Sequence, residues 1–178
     1  MNQSYAPDRK ERGKKIMEKN DVKVAKVTKF STQIEKETKC IHLVADGTYE
    51  IEGPIDASAK IAMAIESVFH ASCQSEEYLW MIALNVRNHP CGIFEVSHGD
   101  VNSSLAGPRE VYMKALLVGA SSIAIAHNHP SGDPHPSQPD LKTTKSLKEA
   151  GRLLGIRLID HVIIGEDSYY SLKDHDQL

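Results

Sequence analysis

Ser122-Ile-Ala-Ile-Ala-His127-Asn-His129-Pro-Ser131-Gly-Asp133-Pro-His135-Pro-Ser137-Gln-Pro-Asp140 is an apolar run that ends in two histidines and passes into a loop crowded with Pro and Gly. Ile123, Ile125, His127 and His129 share one parity. In a strand they therefore lie on one face, with both imidazoles at its C-terminal end. Pro130, Gly132, Pro134 and Pro136 exclude helix or sheet from the loop that follows. Ser137 and Asp140 then form an S-x-x-D start to the next helix, which turns a carboxylate back towards the histidines.

Two imidazoles and a carboxylate suit a catalytic zinc site. Zinc takes imidazole nitrogen at about 2.0–2.1 Å and carboxylate oxygen at similar range, with three protein ligands and one position for water. The expected ligands are His127, His129 and Asp140. The plainer alternative has the paired histidines capping a strand while Ser137 and Asp140 satisfy helix N-terminal amides. It leaves two imidazoles and a carboxylate converging beside an apolar strand for no reason.

Upstream, Pro108 at the start of Pro108-Arg109-Glu110 opens a helix, in which Val111, Ala115 and Leu116, then Val118, turn to the core. Tyr78 to Leu84 reads as a strand covered on both faces, and Asn88-His-Pro90 turns the chain into a partner strand from Cys91 to Val96. Before these, Ala57 to Ala71 places Ile61, Ile65, Val68 and Phe69 at helical spacing, with Asp56 or Ser58 as N-cap. Downstream, the helix opened by Ser137 carries Leu141, Leu147, Ala150 and Leu154 and stops at Gly155. Arg157 to Ile164 and Ser168 to Leu172 follow as strands joined at Gly165-Glu-Asp167. This order predicts an α/β sandwich with a mixed sheet.

Towards the N-terminus the expected divisions are a basic flexible arm over residues 1–21, short strands within 22–53 and the main domain over 54–178. The arm holds Arg9, Lys10, Arg12, Lys14, Lys15 and Lys19 without an apolar stripe. Between 22 and 53, Val22 to Phe30 partly alternates and Cys40 to Ala45 is β-like, with Asp46-Gly47 as a turn before Tyr49 to Ile51.

Composition narrows the class. Forty per cent hydrophobic and 25% charged residues mark a globular chain, and a net charge of -3 argues against general nucleic-acid coating. Cys40, Cys73 and Cys91 are odd in number and lack C-x-x-C spacing, so neither a disulfide framework nor a thiolate finger is expected. No apolar stretch approaches the roughly 20 residues of a membrane span, and the expected location is the cytoplasm.

His-Asn-His-Pro-Ser-Gly-Asp-Pro, followed by Pro136-Ser137 and Asp140, resembles the signature of the RadC family, a bacterial branch of the JAMM/MPN metalloprotease fold. Pro108-Arg109-Glu110, Leu153-Leu154-Gly155-Ile156, Asp160-His161 with the run to Gly165, and Tyr169-Tyr170-Ser171 extend the likeness. The resemblance implies a three-layer sandwich, a mixed sheet flanked by helices as in the cytidine deaminases. It also implies a Zn2+ cofactor and a general base at the start of an upstream strand. Glu77 matches that position; Glu76 is the alternative one residue away, and Glu95 and Glu110 fit less well. Ser137 is the expected oxyanion donor. Asn128, Asp133 and His135 are available to orient ligands or substrate, and His161 is expected to stand behind the ligands or in the core.

Other metal chemistries are excluded by spacing. The chain has no H-E-x-x-H, and Pro90-Cys91 is not followed by the second cysteine that zinc deaminases require. A metal-dependent phosphodiesterase is a third reading, disfavoured because two-metal sites usually use more carboxylates than this loop offers. The function expected is a zinc-dependent hydrolase of an amide or isopeptide bond acting on a protein or peptide substrate. The alternative is an accessory protein of DNA repair or recombination that keeps the fold for binding, with DNA or repair proteins as partners.

Overall fold

The computed structural model describes residues 24–99 and 107–178; the expected basic arm, residues 1–21, lies outside the described residues. The elements are β1 (Val24–Ile34), β2 (Ile41–Glu52), α1 (Ser58–Phe69), β3 (Glu77–Leu84), β4 (Pro90–Gly99), α2 (Pro108–Leu117), β5 (Ser122–Asn128), α3 (Gln138–Leu154), β6 (Arg157–Ile164) and β7 (Tyr169–Ser171). One seven-stranded sheet has the order β2-β1-β4-β3-β5-β6-β7. It is mixed: β1/β4 and β5/β6 run parallel and the remaining neighbours antiparallel.

Strand parity makes two cores. From β3, Trp80, Ile82 and Leu84 pack under α1 with Ile61, Ile65 and Phe69. The intervening Leu79, Met81 and Ala83 face α2 and α3 with Val111, Tyr112 and Leu147. Helices thus cover both faces of the sheet, giving three layers. Ile123 and Ile125 point to the α2/α3 side, and that parity carries His127 to the same face.

Three local expectations are corrected. Asp46-Gly47 is not a turn: Gly47 pairs with Lys29 and Ala45 with Phe30, so Asp46 is the extra residue of a β-bulge inside one long strand. The hairpin closes instead at Glu35–Cys40, where Glu35 N–H donates to Cys40 O at 2.9 Å. Neither Asp56 nor Ser58 caps α1. Asp56 pairs with Lys60 at 3.0 Å and the Ser58 hydroxyl donates to Asp174, leaving Ala57 at the cap position. Leu116 and Leu154 do not reach the core, being 57% and 47% exposed. The buried stripes run instead through Val111, Tyr112 and Ala115 in α2 and through Asp140, Thr144, Leu147 and Gly151 in α3. Cys40, Cys73 and Cys91 are free thiols, and among the described residues no helix is long and apolar enough to cross a membrane.

Gly151 is where α3 meets α2. A Cβ there would lie 2.3 Å from the Tyr112 hydroxyl and 2.4 Å from Ile156 O. Tyr112 cannot easily retreat, because its hydroxyl donates to Leu147 O at 2.8 Å. Gly151→Ala should therefore lower the melting temperature in thermal denaturation. Over-packing of about 1–3 kcal/mol outweighs the helix-propensity gain of about 1 kcal/mol; an unchanged or raised melting temperature would show that the helices can part freely.

Candidate metal centre

Three elements converge at the C-terminal end of β5. Antiparallel pairing sets Leu79 of β3 opposite His127, so Glu77, two residues before Leu79, lies on the same face at the same end. The loop after β5 folds onto the β6–β7 turn. There His129 N–H donates to Ile164 O at 2.9 Å and Glu166 N–H to Gly132 O at 3.2 Å. Gly165 permits this approach, since a Cβ on it would fall 2.3 Å from Gly132 O. Ser137 then caps α3 with a complete capping box, which fixes Asp140 in the first turn.

Hydrogen-bond direction can be assigned outward from fixed donors. Thr144 Oγ1 gives its one proton to Asp140 O at 2.7 Å, so at 2.6 Å it accepts from His161 Nδ1. His161 is fully buried, and burial pushes its imidazole well below the ordinary histidine pKa, keeping it neutral. Its Nε2 therefore accepts from His127 Nδ1 at 2.7 Å, which leaves His127 Nε2 with a bare lone pair. His129 Nδ1 lies 2.7 Å from Asp133 O, a carbonyl that only accepts. The neutral His129 ring therefore also has a bare Nε2.

The two Nε2 atoms face each other at 3.0 Å. Asp140 Oδ1 lies 3.4 Å from the His127 nitrogen, and Oδ2 lies 3.5 Å from the His129 nitrogen. With both rings neutral, three lone-pair donors converge with no proton of their own between them. A divalent cation satisfies this arrangement, and nitrogen with oxygen ligands suits zinc among others. Burial acts to raise the Asp140 pKa, but the pull of His127 and His129, with the Ser137 hydroxyl, outweighs it and holds the carboxyl well below the usual range. The Asp140 carboxylate favours positive charge beside it, and so raises the pKa of His129 against the opposing effect of burial.

Glu77, His127, His129 and Asp140 each offer a ligand atom, and these atoms lie within 4.8 Å of one another. Among the described residues this is the one such group that could hold a metal ion. Glu76 stands outside it and is exposed. Glu95 is engaged with His98 at 3.1 Å and Glu110 lies 3.7 Å from Arg109. Ser137 sits beside Asp140, where its hydroxyl and backbone N–H both donate to Oδ2, at 2.6 and 2.7 Å. Its one hydroxyl proton serves the carboxylate. His135 is exposed and bonded to Asp133 at 2.6 Å.

Two further roles emerge that sequence alone did not assign. Asn128, between the two histidines and 2% exposed, clamps the strand that carries Glu77. Its Oδ1 accepts from Tyr78 N–H at 2.8 Å and its Nδ2 donates to Glu76 O at 2.9 Å. The histidine strand thus grips the backbone on both sides of the glutamate. Thr144, one helical turn beyond Asp140, ends the relay through His161. No sequence signal marked it, because a threonine on a helix is most often a cap, a turn or a surface residue.

Comparison with known proteins adds the family context. The sequence model of the RadC-like JAB domain matches residues 55–177. The chain is similar to a UPF0758 protein of Clostridium acetobutylicum, 49% identical over 104 residues, covering 58% of this chain and 45% of the relative. One from Alkaliphilus metalliredigens is 40% identical over 130 residues, 73% of this chain and 53% of the relative. One from Clostridium perfringens is 38% identical over 167 residues, 93% of this chain and 70% of the relative. Against the first two, the chain spans about half the relative's length.

The relay and the clamp separate by experiment. His161→Phe strips the acceptor from His127 Nδ1, and loss of such a supporting group costs roughly 10–100-fold in metal affinity. That fall should appear in a competition titration with a chromophoric chelator while the circular dichroism spectrum stays unchanged; parental affinity would refute the relay. Asn128→Ala leaves the Glu76 carbonyl and the Tyr78 N–H without their partner. It should instead lower stability by about 1–3 kcal/mol in chemical denaturation, the cost of unpaired buried groups.

Proposed function

The chain belongs to the RadC-like JAB domain family, and from that premise and the geometry of its centre we propose that it is a zinc-dependent hydrolase of amide or isopeptide bonds in a protein or peptide substrate. One observation carries the reading: a fourth group, the partly exposed carboxylate of Glu77, stands within 4.8 Å of the buried His127 and Asp140 and the half-buried His129. Structural zinc sites are closed by four protein ligands, whereas catalytic ones keep three and an open position. His127, His129 and Asp140 are the three that would hold the ion. Zinc, when bound, supplies Lewis acidity and lowers the pKa of a coordinated water to about 7.

The protein's own groups supply the rest. Glu77 takes the proton of the attacking water and passes it to the leaving nitrogen, a role suited to a carboxylate held at the mouth of the site by the Asn128 clamp. The relay from Thr144 through His161 keeps His127 in the tautomer whose Nε2 faces the centre. Ser137 stabilises the developing oxyanion when its hydroxyl turns from Asp140 towards substrate; the backbone N–H of Ser137 meanwhile keeps its bond to Oδ2.

The test joins elemental analysis with a panel of peptide and isopeptide substrates. Glu77→Gln should retain zinc and lose about 10²–10⁴-fold in turnover, since Gln keeps the shape and cannot accept the proton. Glu76→Gln should turn over like the parent. A parent that cleaves nothing with zinc at full occupancy would favour the accessory, binding reading, and an active Glu77→Gln would remove Glu77 as the base. Asp140→Ala should lower zinc content with the fold intact, because the core is built from apolar strands and helices rather than around the ion.

A further inference from the structure

We propose that a groove at the opposite end of the sheet from the metal centre is a docking site for an acidic peptide segment bearing aliphatic side chains. The groove has a volume of about 1010 Å³ and lies between the start of α1, the middle of α3 and the first residues of β6. Ser122 pairs with Arg157 while His127 pairs with Ile163. The start of β6 is thus separated from the metal centre by five residues of β5, roughly 17 Å at about 3.3 Å per residue.

Its charge is predominantly positive, with Lys145, Lys148, Arg152, Arg157 and Lys173 set against Asp56, Glu149 and Asp160. Lys145 and Arg152 project from α3, Arg157 from β6 and Lys173 from the segment after β7; all four line the groove and are exposed. Among the described residues none of these four side chains has an ion-pair or hydrogen-bond partner. The acids nearby are mostly occupied. Asp56 is paired with Lys60 at 3.0 Å, and Asp160 is buried, accepting from the Ser171 hydroxyl at 2.8 Å and from His161 N–H at 2.7 Å. Glu149 alone among the lining acids is exposed and unpaired.

The floor decides between polyanions. It is aliphatic, with Ile159 half-buried and Ile55, Ile61 and Leu158 beneath, and the stems of the lysines and arginines extend the apolar surface. No aromatic side chain lines it. Single-stranded nucleic acids are held by aromatic stacking platforms in a basic channel, and this groove has the cations without the platform. An extended peptide that alternates carboxylates with leucine-like side chains matches both features: charges to the rim, aliphatic groups to the floor.

Fluorescence anisotropy with the full chain tests this directly. The probes are a labelled peptide alternating glutamate with leucine, the same peptide with lysine for glutamate, the same with serine for leucine, and a labelled oligothymidine. The glutamate–leucine peptide should bind best. The double variant Lys145→Glu/Arg152→Glu, exposed positions that leave the core untouched, should weaken it about tenfold or more and improve binding of the lysine peptide. Arg157→Glu, on a different element, should weaken it in the same direction, and Glu77→Gln should leave it unchanged. Equal binding of acidic and basic peptides, no effect of the charge reversals, no loss with serine for leucine, or displacement by oligothymidine with equal strength would each overturn the proposal.

Discussion

The pairing of Leu79 with His127 is the constraint on which the site depends. Side chains alternate along a strand, so a slip of one residue between β3 and β5 would turn Glu77 to the α1 face and away from the histidines. The register is held by apolar burial on both sides: Leu79, Met81 and Ala83 belong to one core, Trp80 and Ile82 to the other, all essentially inaccessible. Asn128 adds a polar lock at the end of the same ladder. The bulk of the sheet sets the face, and the amide holds the backbone on either side of Glu77.

Much of this is legible in the sequence itself. The parity of Ile123, Ile125, His127 and His129 is a period-two signal within a single strand, and the Ser137–Asp140 spacing is a capping signal within a single turn. Both are local, and local patterns survive folding. Where the structure departs from the sequence pattern, the cause is tertiary. Asp46-Gly47 has the composition of a hairpin turn, but its geometry is decided by β1, which runs alongside and absorbs the extra residue as a bulge. Leu116 and Leu154 are apolar, yet the packed stripes of α2 and α3 pass beside them. In α3 that stripe is filled by Asp140, Thr144 and Gly151 as well as Leu147, which hydrophobicity alone does not reveal.

His161 and Thr144 show the limit most plainly. His127 and His161 are 34 residues apart and meet because β5 and β6 are parallel neighbours; Thr144 closes the chain from a helix on the α3 face. The hydrogen-bond partner of a candidate ligand is a tertiary fact. The Asp160-His161 pair was visible as part of a family resemblance, but its direction of hydrogen bonding follows only when every donor between Asp140 and His127 is counted.

One turn of α3 is fastened to the centre twice. Asp140 faces both histidine nitrogens directly, and Thr144, four residues on, reaches His127 through His161 while bonding back to the Asp140 carbonyl. A helix attached at one point can pivot or creep along its axis; one attached at two points along its length can do neither without disturbing both attachments together. The first two turns of α3 therefore act as a rigid strut, and any push transmitted along that helix would reach one histidine by two routes at once.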